Sequence, residues 1–391
     1  MRVQLIIGFL ILFISEILKV YFIMPFPGSQ QSDTIELAYF LHQSIWYLRI
    51  LGIVLLAYPL WRNFKIGSKL TKIILGGLTL LWLGVVYLFN FQLTADHMFY
   101  QPKNKTMASV SHNKITKDKL VIGVVHNGQA KAYPIQLIGY HHQVIDTVGG
   151  TPMMITYCTV CRTGRVYLPF VNGKYEQFRL VGMDHFNAMF EDQTTGSWWQ
   201  QATGESITGK LKGKTLRSFP SEQVSLASWL RQYPNSLIMQ ADSLFKEEYN
   251  GLKNYDSGKG KSKLTTRDSL SWKPKSWVVG ITLGKTAKAY DWNTLLQKRI
   301  IYDTVEKHHI IIVLEKDGKS FHAFKSESPF GKLDLVLKDN QLIDSQSDAV
   351  WDMDGKCISG KYQGSSLPKI QAYQEFWHSW KTFQPNTLVM K

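Results

Sequence analysis

The segment IGVVHNGQAKAYPIQLIGYHHQVIDTV, residues 122–148, determines the fold prediction because it recurs further along the chain. Residues 279–305 read VGITLGKTAKAYDWNTLLQKRIIYDTV, and the shared residues, such as Gly123 and Gly280, are separated by 157 positions. Residues 204–239 recur in the same way 151 positions later, with Trp229 matched by Trp380. A repeat of this length is a domain-scale duplication rather than a solenoid repeat of about 20 to 50 residues. The sequence therefore predicts two tandem duplicated units.

Each unit shows the same pattern of predicted elements. A β-hairpin is followed by a short helix, more strands, and a terminal helix that stops before Pro234 or Pro385. This pattern predicts an α+β, β-rich fold with two tandem duplicated units after three transmembrane helices. The predicted boundaries are 1–92 for a three-helix membrane anchor, 93–240 for the first unit, 241–275 for a linker or surface wrap, and 276–391 for the second, degenerate unit.

Three apolar runs, 3–24, 37–61 and 73–91, are each close to the roughly 20 residues that span a hydrocarbon core. A cleaved signal peptide is the less favoured alternative for the first run, because no small-residue cleavage site follows it. Four basic residues lie between the second and third runs, and none lies between the first and second. The positive-inside rule then predicts a multi-pass protein of the cytoplasmic membrane with its large C-terminal domain extracytoplasmic.

The net charge of +15 does not indicate nucleic-acid binding, because the lysines are scattered and form no basic stripe with interleaved aromatic residues. We expect membrane lipid as a partner, with other envelope proteins as further candidates. Glu16, Lys19 and Arg49 are charged residues inside the apolar runs. Such residues are rare and often functional, and here mutual pairing is favoured over a proton or quinone role.

Cys158 and Cys161 form a CTVC motif that is present in the first unit only. Glu315 and Gly318 stand at the corresponding positions of the second unit, within the turn sequence EKDGK. By this comparison the cysteines lie at a β-hairpin tip, where two thiolates can bind one metal ion. A redox-active pair and a plain disulfide are the alternatives, since a CxxC motif outside the cytoplasm is compatible with both.

His141, His142 and His185 are the candidate histidine ligands. His141 and His142 end the predicted short helix, and because consecutive side chains point in different directions we expect His141 to face inward and His142 outward. His185 lies in the segment GMDHFNAMF and could supply a further ligand. Two thiolates with imidazole suit copper or zinc.

These residues resemble a bacterial family catalogued as domain of unknown function 3179. The resemblance rests on GQAKAYP (128–134), on His141 ahead of DTVGG (146–150), on TYCTVC (156–161), and on Asn187, Asp192, Thr195, Trp199 and Gln201. Two departures are Thr159, where relatives commonly have proline, and His142, where they often have an acid. The resemblance implies a fold and a site location but no reaction.

Three functional hypotheses follow from these features. The first is a membrane-anchored extracytoplasmic metal-binding protein, copper-handling or a redox metalloprotein, that uses Cys158, Cys161 and His141. The second is a thiol-disulfide oxidoreductase in which Cys158 attacks and Cys161 resolves. The third is a non-catalytic binding module with a structural disulfide. Whether the protein is an enzyme is left open by the sequence.

Overall fold

A computed structural model describes residues 1–328 and 331–390 of the chain. These residues form two compact units. Unit 1 comprises Met1–Tyr100, Glu176–Gln200 and Glu205–Thr215, and unit 2 comprises the other described residues. We refer to residues 93–240 as the first half and to residues 276–390 as the second half.

The α-helices are α1 Arg2–Tyr21, α2 Ile35–Ile66, α3 Lys69–Tyr87, α4 Ala95–Met98, α5 Ile135–His141, α6 Leu226–Gln232, α7 Lys246–Gly251, α8 Trp292–Lys298 and α9 Trp377–Phe383. The strands of the first half are β1 Met107–Ala108, β2 Leu120–His126, β3 Gln129–Pro134, β4 Gln143–Val148, β5 Thr151–Cys158, β6 Thr163–Tyr167, β7 Phe170–Val171, β8 Lys174–Tyr175, β9 Phe178–Asp184, β10 Asn187–Asp192, β11 Trp198–Gln200, β12 Ser206–Thr208, β13 Glu222–Ser225 and β14 Leu237–Met239. The strands of the second half are β15 Trp277–Leu283, β16 Thr286–Asp291, β17 Ile300–Val305, β18 His308–Leu314, β19 Phe321–Lys325, β20 Glu327–Ser328, β21 Gly331–Lys332, β22 Leu335–Lys338, β23 Gln341–Asp344, β24 Val350–Trp351, β25 Cys357–Ser359, β26 Ala372–Phe376 and β27 Leu388–Met390.

Strand order is the same in the two halves. The sheet order β14-β3-β2-β13 has its counterpart in β27-β16-β15-β26, and the three-stranded sheet β4-β5-β6 has its counterpart in β17-β18-β19. The four-stranded sheets β9–β12 and β22–β25 also correspond. The mixed helix and sheet content and the β-rich C-terminal region are as the sequence predicts.

A glycine and a tryptophan make the same close contact in each half. A Cβ atom on Gly123 would lie 2.2 Å from the ring of Trp229, and one on Gly280 would lie 2.2 Å from the ring of Trp380. Any larger residue at either glycine would therefore collide with a buried indole ring. These four residues are among those that recur in the sequence, and the structure gives them a packing role in the fold.

The helical part of unit 1 has three helices that are long and apolar enough to cross a membrane. The third span, Lys69–Gln92, combines α3 with a π-helical turn at Leu88–Gln92. Helices α1 and α2 pack closely because Gly8 faces Leu56 and Gly52 faces Leu12.

The sheet β9–β12 also belongs to unit 1 and packs on the ends of α1 and α2. Its Val181, Met189 and Trp198 form a buried cluster with Ile23 and Ala38. Unit 1 therefore takes in residues from both the predicted anchor and the predicted first domain.

Residues 241–275 carry α7 and two short 3₁₀ turns, Ser243–Phe245 and Tyr255–Ser257. Tyr249 and Tyr255 in this segment are buried, so the segment, which belongs to unit 2, is packed rather than extended.

Candidate metal centre at the cysteine hairpin

The two cysteines lie at the tip of the β5–β6 hairpin. Cys158 is the last residue of β5 and pairs with Thr163, the first residue of β6, so residues 159–162 form the turn. Arg162 closes the turn with a left-handed backbone conformation at φ 56°. The hairpin placement predicted from the second half is confirmed, and Thr159 occupies the turn without a proline.

The sulfurs of Cys158 and Cys161 are buried and hydrogen-bonded to each other, and no disulfide joins them. Burial is the main reason why the pKa of the Cys161 thiol is raised well above its ordinary value, and the hydrogen bond with Cys158 raises it further. Both sulfurs are fully inaccessible to solvent. Deprotonating them inside the protein therefore requires a compensating positive charge.

A lysine of the 241–275 segment lies beside the turn. Lys275 Nζ donates a hydrogen bond to the carbonyl oxygen of Val160 at 2.6 Å, and Val160 lies between the two cysteines. Burial lowers the pKa of Lys275 to about 8, while the negative charges of Cys161 and Cys158 act to raise it. Lys275 is therefore a cation that interacts electrostatically with both sulfurs.

Helix α9 and strand β26 of the second half cover the other side of the turn. The backbone N–H of Phe376 donates to the carbonyl of Cys161 at 2.9 Å, and His378 Nε2 lies 3.2 Å from the carbonyl of Val160. Ser379 forms a hydrogen bond with Cys161 that acts to lower the pKa of the thiol. Burial lowers the pKa of His378 to about 3, so its imidazole is neutral at physiological pH.

Arg162 fixes the end of the turn. Its guanidinium stacks 3.8 Å from the ring centre of Trp277, and its Nε donates to Gln374 at 2.8 Å. The hydroxyl of Tyr255 donates to the carbonyl of Thr159 at 2.8 Å. These contacts from three segments make the cysteine hairpin rigid.

His141 faces inward, as the sequence predicts. It is fully buried at the end of α5, and its Nε2 lies 2.7 Å from the hydroxyl of Tyr249. The rings of Tyr140, Phe245 and Tyr249 surround the imidazole. Its participation in a metal site with the cysteines stays a prediction.

The prediction that His142 faces outward is wrong. His142 is 5% exposed, because it ends α5 in the left-handed conformation at φ 59°, which turns its side chain back onto β5. Its Nδ1–H donates to the carbonyl of Tyr157 at 3.1 Å. Burial lowers the pKa of His142 to about 4, so the ring is neutral.

His185 belongs to unit 1, in the turn between β9 and β10. Its Nδ1 lies 2.8 Å from Asp184, and its Nε2 lies 3.3 Å from Asp33. The hydrogen bond to Asp184 is the main cause of its raised pKa. These contacts give His185 an ion-pairing role within unit 1, and its role as a metal ligand stays a prediction.

A charged group occupies the equivalent hairpin tip of the second half. Glu315 follows β18, and its backbone N–H donates to the carbonyl of Ser320. Glu315 and Ser320 therefore lie opposite each other, as Cys158 and Thr163 do in the first half. Glu315, His322 and Asp354 each offer a ligand atom within 4.8 Å of the others, so this group could hold a metal ion. Helix α6 supplies Ser228, whose hydroxyl donates to Glu315, much as Ser379 of α9 contacts Cys161.

This charged group already contains its own cations. Arg231 donates to Glu315 at 2.9 Å and to Asp354 at 3.1 Å, and His322 Nε2 lies 2.8 Å from Glu315. Glu222 and Glu315 raise the pKa of His322 to about 9 against the effect of burial, so its ring is protonated. A metal ion at this place would have to displace the guanidinium and deprotonate the imidazole.

Comparison with known protein families gives one result. The family model described as protein of unknown function, DUF3179, matches residues 100–387 of the chain. The chain belongs to the DUF3179 family. No curated protein and no solved structure matches the chain. The match covers the cysteine hairpin and the second half, and it leaves out the three long helices of unit 1.

The sequence did not predict several residues that surround the cysteine hairpin of this DUF3179 protein. Lys275 lies at the end of a segment whose composition indicates only a linker, and His378 and Ser379 lie in a helix that is more than two hundred residues from the cysteines. No local motif marks them, because they reach the site through the packing of the second half on the first.

Proposed function

We propose that the protein is a membrane-anchored metal-binding protein that holds a soft cation, Cu(I), between Cys158 and Cys161. The observation that carries the proposal is the pair of sulfurs, fully buried and hydrogen-bonded to each other, on a hairpin turn that Arg162, Tyr255 and Lys275 hold by hydrogen bonds. Thiolate ligands select soft ions such as Cu(I) and Zn²⁺. A bound metal ion deprotonates its thiol ligands and supplies the positive charge that their burial requires.

Charge balance favours Cu(I) over Zn²⁺. With Arg162 counted against the carboxylate of Asp256, with which it interacts electrostatically, two thiolates, one Cu(I) and the protonated Lys275 sum to zero charge. Zn²⁺ in the same place leaves an excess positive charge in a buried site. Buried charge without a partner is costly. A closed zinc site also needs four ligands, and Cys158 and Cys161 supply two.

The second half supports this interpretation by contrast. At the equivalent hairpin tip the carboxylates of Glu315, Asp354 and Glu222 are balanced by Arg231, His322 and Lys369. At the first tip the negative groups would be two thiolates, and Lys275 alone balances only one of them. A bound monovalent cation supplies the missing charge.

His141 is a candidate third ligand. Because its Nε2 is engaged with Tyr249, it could bind a metal only through Nδ1, and only in the tautomer in which Nε2 carries the proton and donates to Tyr249. The two sulfurs carry the proposal without it.

The alternative functions receive less support. A thiol-disulfide oxidoreductase needs an accessible attacking thiol with a lowered pKa, often at a helix N-terminus. Here both Cys158 and Cys161 are fully buried in a hairpin, and the pKa of Cys161 is raised. A structural disulfide is not needed to fix the turn, because Arg162 and Tyr255 hold it through their own contacts.

The orientation in the membrane forms part of the proposal. Arg62 and Lys65 end α2, and Lys69 and Lys72 begin α3, so the short connection between these helices is strongly basic. This connection lies on the cytoplasmic side by the positive-inside rule. Unit 2 then lies outside the cytoplasm.

The experiment is a Cu(I) titration of the full chain in detergent, after metal removal and under reducing conditions, against a chromophoric Cu(I) chelator. We expect one Cu(I) per chain. Cys158→Ser and Cys161→Ser should each abolish binding at chelator concentrations that the unmodified protein tolerates.

The chain offers two matched controls for this titration. Cys357 is also buried, but it lies in the second half and its sulfur donates to the carbonyl of Ser359, so Cys357→Ser should keep full binding. Glu315→Gln tests the charged group and should also keep full binding. Loss of copper in either control, with both hairpin variants still binding, would place the metal elsewhere.

A further inference from the structure

The membrane-spanning part of unit 1 contains more buried positive than negative charge. Glu16 in α1 is fully buried, and Arg49 Nε of α2 donates to its Oε1 at 2.5 Å. Lys19 Nζ lies 3.4 Å from the other carboxylate oxygen. The pairing predicted from the sequence is confirmed, but two cations share a single carboxylate.

The fourth polar residue of this cluster adds no charge. Asn90, in the π-helical turn after α3, donates to Glu16 Oε2 at 3.1 Å and accepts from Arg49 at 3.0 Å and from Lys19. The amide completes the hydrogen bonding of the cluster. One surplus positive charge remains in a region where charge is costly.

A cavity of about 230 Å³ begins at this cluster and lies at the ends of α1 and α3. Lys19 and Asn90, which belong to the first and third membrane-spanning helices, line it. The lining also includes the apolar side chains of Val20, Phe89 and Leu93. Asp96 and Arg179, which come from elements outside the three spans, are charged lining residues that we call the polar end of the cavity. A basic side chain beside apolar side chains, between membrane-spanning helices, is suited to binding a lipid headgroup.

The polar end of the cavity has the opposite charge surplus. Arg179 donates to Asp96 at 3.1 Å and to Glu191 at 2.6 Å, so one guanidinium faces two carboxylates. The cavity therefore has its surplus positive charge at Lys19 and its surplus negative charge at Asp96, which shares Arg179 with Glu191.

We propose that this cavity binds one phosphatidylethanolamine headgroup, with the phosphate at Lys19 and the ammonium toward Asp96. The order of charges along the cavity matches the lipid, in which the acyl chains come first, then the phosphate, then the ammonium. The phosphate balances the surplus of the Glu16, Lys19 and Arg49 cluster. The ammonium balances the surplus at Asp96, the lining carboxylate that shares Arg179 with Glu191. This site is independent of the copper proposal.

The test uses the full chain, delipidated in a phosphate-free detergent and incubated with defined lipids. Bound lipid is measured by native mass spectrometry. We expect one retained phosphatidylethanolamine per chain, weaker retention of phosphatidylglycerol, and weakest retention of a phosphate-free glycosyl diacylglycerol. Phosphoethanolamine without acyl chains should bind far more weakly than the lipid.

Two variants report on the two ends of the cavity. Lys19→Met should lower retention of both phospholipids at least tenfold, and the fold should survive because Glu16 keeps its one-to-one pair with Arg49. Asp96→Asn should keep phospholipid binding but remove the preference for ethanolamine over glycerol. Lys65→Met, near the C-terminal end of α2, is the matched lysine control and should leave the retention of both phospholipids unchanged.

Equal retention of the glycolipid, or unchanged retention in Lys19→Met, would overturn the proposal. Equal binding of phosphoethanolamine alone would overturn the assignment to a lipid. If Lys19→Met does not fold, Asp96→Asn decides, and an unchanged preference for ethanolamine would then contradict the proposed orientation.

Discussion

The ammonium of Lys275 lies 2.6 Å from the carbonyl oxygen of Val160, the residue between the two cysteines. This contact places a half-buried cation at the turn that carries both sulfurs. The local sequence around Lys275 does not indicate such a role. The net charge of the cysteine site therefore depends on Lys275 from another part of unit 2, and not on the CTVC motif alone.

Replacement of Lys275 tests the charge balance. Lys275→Met should weaken Cu(I) binding by about 10- to 100-fold, because a charge-assisted interaction contributes roughly 1.5–3 kcal/mol and each 1.4 kcal/mol is about tenfold in affinity. Lys275→Arg keeps the charge and should lose much less. Chelator competition measures both. Stronger binding of Zn²⁺ than of Cu(I) to the unmodified protein would contradict the charge argument.

His141 is expected to act through packing. His141→Gln removes the hydrogen bond to Tyr249 and the contacts with three aromatic rings, so the melting temperature of the full chain in detergent should fall, with a cost of about 1–2 kcal/mol from the hydrogen bond. The Cu(I) stoichiometry should stay at one. Tyr249→Phe is the milder partner variant and should show the same pattern. A lowered copper affinity in His141→Gln with an unchanged affinity in Tyr249→Phe would instead assign His141 as a ligand.

The pKa of His322 predicts a pH dependence of stability. Its folded-state value of about 9 lies above the ordinary value of 6.5 because Glu222 and Glu315 stabilise the charged ring. Its stabilising contribution is therefore complete below pH 6.5 and is lost as the pH rises toward 9. The loss should be on the order of 2–3 kcal/mol, since one pKa unit corresponds to about 1.4 kcal/mol.

The variant His322→Gln isolates this contribution. Thermal unfolding of the full chain between pH 6 and 9 should show a decline that is steeper in the unmodified protein than in the variant. Identical slopes would mean that His322 is not protonated in the folded state. The difference between the two proteins removes the contribution of Lys275, which titrates in the same range.

The membrane orientation has a direct readout. A periplasmic alkaline phosphatase fused after Lys391 should be active, and a reporter that works only in the cytoplasm should be inactive. Replacing Arg62, Lys65, Lys69 and Lys72 with glutamine should reduce or invert this orientation, because these residues supply the positive-inside signal. Activity of the cytoplasmic reporter in the unmodified protein would place unit 2 inside the cell.

The sequence was sufficient for the elements that depend on local pattern. The apolar runs and the hairpin position of Cys158 both follow from short stretches of sequence. The direction of His142 could not be predicted, because it depends on a left-handed backbone at the end of α5. Lys275 and Ser379 were missed for a different reason, since only tertiary packing brings them to the cysteines.

The grouping of the sheet β9–β12 with the membrane helices also could not be read from the sequence. The sequence repeat predicts that residues 178–208 belong to the same domain as the cysteines, within the first half (93–240). Their apolar face, with Val181 and Trp198, instead packs on Ile23 and Ala38 of the helical part. A repeat conserves the order of elements, but it does not determine which neighbour covers an apolar face.

X-ray absorption at the copper edge, on the full chain loaded with one Cu(I), tests the central claim most directly. The spectrum should show two sulfur neighbours in the first coordination shell and the edge shape of Cu(I), and both features should disappear in Cys161→Ser while persisting in Cys357→Ser. A first shell made only of nitrogen or oxygen neighbours would contradict binding by Cys158 and Cys161.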